Sequence, residues 1–196
     1  MKRALLAAFA ALLLLPATIL CQRDYFTPEE VELIRDAQQI DRRVDVLVHA
    51  IDRRFAALNV NVNAPVVKEK GAEWGATPTG SRLDLLIDIK RILQKAVDDI
   101  DNLSERPSSM YIEEPDPKDK HPKKQKGFAD LFPVAVRSLA AAANRYGPVL
   151  KTELDKTKDP AEKGAILDSI ETCDDIVAAV NKLHAATPAD PKKAKD

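Results

Sequence analysis

Aromatic residues make up only 5% of this 196-residue chain, and Trp74 is its single tryptophan. That scarcity argues against an all-β protein and against a binder that stacks nucleic-acid bases. An excess of one charge is missing too. Lys and Arg number 30 against 31 Asp and Glu, so no overall basic field draws a phosphate backbone, and nucleic acid is not an expected partner. Cysteine is limited to Cys21 and Cys173, without the Cys-x-x-Cys-His needed to attach haem. Neither Glu-x-x-His, the di-iron signature of helical bundles, nor a phosphate-cradling glycine loop is present. No serine stands in a nucleophile context. These gaps lead to an expectation of no cofactor and no enzymatic activity.

The N-terminus carries an address. Met1-Lys2-Arg3 precedes an uncharged apolar run from Ala4 to Leu15, which Pro16, Ala17 and Thr18 break. A basic start, a short apolar stretch and a small-residue break are the parts of a secretory signal peptide, expected here over residues 1–21. The run is too short to span a bilayer, and no second run of spanning length follows. Its removal leaves 28 basic against 31 acidic side chains. Lipid modification of Cys21 is an alternative that would anchor the chain instead.

Proline is absent between Glu29 and Ala64, between Thr79 and Arg106, and between Ala161 and Thr187, and glycines 71, 75, 80 and 127 fall in the gaps. Both residues disfavour helix interiors, so the spaces between them mark where helices run. Apolar positions recur every three or four residues in four segments. The first has Leu33, Ala37, Ile40, Val44, Leu47, Ile51, Phe55 and Leu58, and the second Leu86, Ile89, Leu93, Ala96, Ile100 and Leu103. The third has Leu131, Ala135, Leu139, Ala142, Tyr146, Leu150 and Leu154, and the fourth Ile166, Ile170, Cys173, Val177 and Val180. Such coiled-coil-like stepping predicts helices over about 28–58, 81–105, 130–157 and 160–186. Thr27-Pro28-Glu29-Glu30 and Asp159-Pro160-Ala161-Glu162 supply capping boxes at two of the starts. Gly147-Pro148 predicts a kink or split in the third helix.

No stripe can be satisfied alone. The fold expected is all-α, an antiparallel four-helix bundle built from two long helical hairpins over residues 22–186, with a disordered tail at 187–196. A dimer of hairpins is the competing arrangement.

Few residues hint at recognition. Ile40-Asp41-Arg42-Arg43 recurs as Ile51-Asp52-Arg53-Arg54, an eleven-residue interval equal to about three turns. Arg42 and Arg53 thus stack on one line and Arg43 and Arg54 on another, a stripe that either pairs with acids of the adjacent helix, such as Asp84, Asp88, Asp98 and Asp99, or meets an acidic partner. Trp74 either anchors its glycine-containing loop to the bundle or serves as a binding aromatic. Asp45, His49 and Asp52 share a helix face and offer an alternative divalent-metal set. The lysines at 118–126 could touch an anionic surface. Together these features suggest an exported, non-catalytic binding or scaffolding module of the cell envelope. Its partner would be a protein or an anionic envelope surface. A periplasmic small-molecule or metal carrier is the alternative.

Overall fold

The computed structural model describes residues 23–65, 71–109, 111 and 126–186. The expected leader with Cys21, the lysines from Lys118 to Lys124 and the tail lie outside these residues. Among the described residues there are five α-helices and no strand. They are α1 (Pro28–Asp36), α2 (Ile40–Ala57), α3 (Arg82–Glu105), α4 (Phe128–Lys156) and α5 (Pro160–Ala186). Single 3-10 turns occupy Gly71–Trp74 and Pro107–Ser109. None of these helices is long and apolar enough to cross a membrane.

The helix starts follow from local chemistry. Thr27 accepts from the Glu30 amide while Glu30 Oε2 accepts from the Thr27 amide at 3.0 Å, which closes a capping box. Ser81 and Asp84 do the same for α3, and those hydrogen bonds hold the Asp84 carboxyl below its usual range. Asp159 accepts from the amides of Ala161 and Glu162 at the start of α5.

One expectation fails at the first helix. Residues 28–58 do not form one rod, because the chain leaves helical geometry at Ala37 (ψ 73) and re-enters after Gln39. The reason is a long-range contact. In a continuous helix Glu30 and Arg54 would stand about 36 Å apart at 1.5 Å per residue, whereas here their side chains are in direct contact. The break folds α1 back along α2. Arg43 Nε donates to the Ala37 carbonyl at 3.0 Å and satisfies one acceptor that the break releases.

α4 is not split at Gly147-Pro148: it continues through both Pro133 and Pro148. An internal proline costs about 3 kcal/mol, yet Tyr146 and Leu150 on either side of the Gly147-Pro148 pair are fully buried and together offset that cost.

The core lies between four of the helices. α2 packs against α3 and α4, and α5 packs against the same two, while α3 and α4 touch only slightly. Val44, Leu47, Ile51 and Phe55 of α2, Ile89, Ile92 and Leu93 of α3, and Ile166 of α5 are all fully enclosed. α4 adds Leu131 and Leu150 together with the small residues Ala135, Ala142 and Ala143, which let its neighbours approach closely.

Candidate functional site

The polar cluster is built around the Glu30 carboxylate of α1. Glu30 is fully buried and engages two guanidinium groups. Arg53 Nη1 donates to Glu30 Oε1 at 2.6 Å. Arg54 Nη2 donates to Oε2 at 2.6 Å, and its Nη1 is bonded to Oε1 as well. Arg54 is 1% exposed, and it also donates to the carbonyls of Ala50 and Tyr25. Arg53 donates to the carbonyl of Ala76 at 2.7 Å and to that of Gly75 at 3.3 Å. Gly75 has φ +61, the left-handed region, and a Cβ there would collide with the Glu29 side chain. One acid with two arginines therefore joins α1, α2, the N-terminal segment and the loop before α3.

Asp88 completes the cluster from α3. Its carboxylate takes Arg23 at 2.5 Å and lies 3.8 Å from Arg54 Nε. Burial pushes its carboxyl above the ordinary range, and the nearby arginines only partly counter this. Among the described residues, the buried side-chain polar atoms without a hydrogen-bond partner are Asp41 Oδ1 and this Arg54 Nε.

The four arginines of the repeat consequently have different fates. Arg42 is exposed, Arg43 is half-buried on the α1/α2 break, and Arg53 and Arg54 are inside. They do not form one outward line. Trp74 is 8% exposed, packed edge-on against His49 with ring centroids 4.3 Å apart and with Arg53 Cζ 5.5 Å from its own ring centre. It fastens its loop to α2.

Asp45, His49 and Asp52 are likewise drawn to separate tasks. Asp45 accepts from Ser138 Oγ at 2.7 Å, across to α4. His49 faces Trp74. Asp52 accepts from Tyr146 Oη at 2.6 Å and from Arg145 Nη1 at 3.5 Å. No group of three or more His, Cys, Asp or Glu side chains among the described residues is placed to hold a metal ion. Burial, and then the neighbouring Asp52, push the Tyr146 hydroxyl well above its ordinary value, so it stays protonated and donates.

Cys173 is free and buried, and burial pushes its thiol up to about 12, far from the thiolate a nucleophile requires. At the end where α3 begins, Arg82 bonds Glu153 of α4 at 2.7 Å and Glu162 of α5 at 3.2 Å. Burial raises the Glu153 carboxyl, but the hydrogen bonds from Lys156 and Arg82 outweigh it and hold the group below its usual range.

Glu30 was hidden in the sequence, because its place in a capping box already accounts for an acid there. Asp88 was visible as an acid on the neighbouring helix. Nothing in the sequence tied Tyr146 to Asp52, 94 residues away.

No protein family, curated protein or solved structure matches the chain.

Proposed function

We propose that this protein is an exported, non-catalytic binding or scaffolding module of the cell envelope, built as a four-helix bundle of two antiparallel hairpins, α2/α3 and α4/α5. The order of the cross-ties supports the architecture. Asp45 meets Ser138 and Asp52 meets Tyr146, so residue numbers rise together along α2 and α4. Arg82 meets Glu162 and Lys90 meets Asp168, which gives the same relation between α3 and α5. Each hairpin is antiparallel inside and lies parallel to its counterpart.

The observation that carries the non-catalytic reading is the engagement of the buried polar groups with one another. Glu30, Arg53, Arg54, Asp52 and Tyr146 each hold intramolecular partners at hydrogen-bond distance. Groups fixed in this way stabilise geometry. A general base or nucleophile must instead face a substrate. Export rests on the leader-like residues Met1 to Thr18.

The test is expression of the full chain from its own N-terminus in a bacterial host, with fractionation and mass spectrometry of the product. The expected product begins near residue 22 and sits in the periplasmic fraction. Full-length chain in the cytosol would overturn the reading. An acylated Cys21 would replace the soluble module with an anchored one.

A further inference from the structure

We propose that the cleft beside the α1/α2 break binds a small anion carrying two or more carboxylate or phosphate groups. The cleft encloses about 580 Å³, within the range of small-molecule sites. Three arginines from three different elements line it: Arg35 in the last turn of α1, Arg43 near the start of α2, and Arg106 at the end of α3. A single acid, Asp99, shares the lining, and Lys95 Nζ holds it at 3.1 Å. In a chain whose net charge is -1, this is a concentrated positive surface.

Three features make the cleft more than a set of surface cations. Ile40 and Leu103, which are 4% and 9% exposed, form apolar walls, and a low-dielectric wall focuses the field of the charges beside it. Arg43 is fixed in place by its Nε bond to the Ala37 carbonyl, so the break that folds α1 back also presents its guanidinium. At the start of α2, Gln39 makes no side-chain cap bond, and Gln38 and Ile40 on either side of it are in the lining, although Asp41 in the same turn offsets part of the helix dipole.

The arginines have weak competitors. Arg35 pairs with Glu32 at 2.7 Å, but both side chains are more than half exposed, and such pairs contribute about 1 kcal/mol at most. Arg106 Nη2 touches the neutral Asn102 Oδ1 at 3.1 Å. A guanidinium binds planar carboxylate and phosphate oxygens two at a time, and three arginines lining one cavity suit an anion with several such groups. This inference does not depend on export.

Isothermal titration calorimetry of the full chain with citrate and with tripolyphosphate tests it, and the two probes separate carboxylate from phosphate chemistry. Binding of either at a stoichiometry of one is expected, with affinity falling about tenfold in Arg106→Gln and in Arg43→Gln. Arg106 is exposed, so its variant keeps the fold even if the loss of the Arg43 tie loosens the break. A variant with Lys118, Lys120, Lys123 and Lys124 changed to Gln should bind as the parent does. The proposal is overturned if neither probe binds. It is equally overturned if Arg106→Gln retains full affinity while the lysine variant loses it.

Discussion

The α2/α3 and α4/α5 sides of the molecule are held together by different means. The α2/α3 side buries charge: Glu30, Arg53, Arg54 and Asp88 are each less than a tenth exposed, and they tie α1 and the N-terminal segment to the bundle. The α4/α5 side buries mainly small and apolar groups: Ala135, Ala142, Ala143, Leu150, Ile166 and Cys173 are enclosed, and Glu153 is its one buried charge among the described residues. The contrast teaches what each kind of contact specifies. Apolar stripes bring helices together but tolerate repacking, whereas a buried carboxylate between two guanidinium groups admits few geometries. Where the chain must leave a regular pattern, at Ala37–Gln39, it does so on the charged side.

The largest expected effect is on that side. Glu30→Ala leaves Arg53 and Arg54 buried without their acid and should destabilise the protein by about 3–5 kcal/mol in urea unfolding. On the apolar side, Leu150→Ala should cost about 2–5 kcal/mol through transfer and cavity terms. Ala143→Leu should cost about 1–3 kcal/mol by overpacking, and it should leave the charged cluster untouched. Thr27→Ala, which removes only the α1 cap, should cost about 1 kcal/mol.

The pH profile divides the two regions again. Glu153 has a depressed folded value, so its contribution is present above the ordinary glutamate range and is lost as pH falls through the folded value. Asp88 has a raised folded value and acts in the opposite sense: protonation relieves its burial, so acidification through that window favours the folded state. Glu153→Gln should therefore flatten the loss of stability in acid, and Asp88→Asn should steepen it. Thermal unfolding followed between neutral and acid pH checks both signs.

Much of the fold could be read from the sequence because the stripes are local. Leu86, Ile89, Leu93 and Ala96, or Leu131, Ala135, Leu139 and Ala142, share a face as a consequence of the helical repeat, and all of them are buried. The bounds of α3, α4 and α5 fall within a few residues of the capping and proline signals. The break between α1 and α2 was not legible, since Ala37-Gln38-Gln39 contains neither glycine nor proline and its cause is a pairing 24 residues away in sequence. The arginines were visible as two stacked pairs, but the helical repeat assigns directions around an axis and not what stands beside them. Arg53 and Arg54 turn inward because α1 folds back over them with Glu30. For the same reason Asp52 could be grouped with His49 by spacing, while Tyr146 holds it.

The account rests most heavily on the claim that Glu30 and Arg54 stabilise the fold as a pair. A double-mutant cycle by urea unfolding, with Glu30→Leu, Arg54→Met and both together, measures that directly. The account predicts a coupling of about 2 kcal/mol or more, with the double variant far more stable than the two single losses would sum to. Single losses that add to within about 0.5 kcal/mol would contradict it.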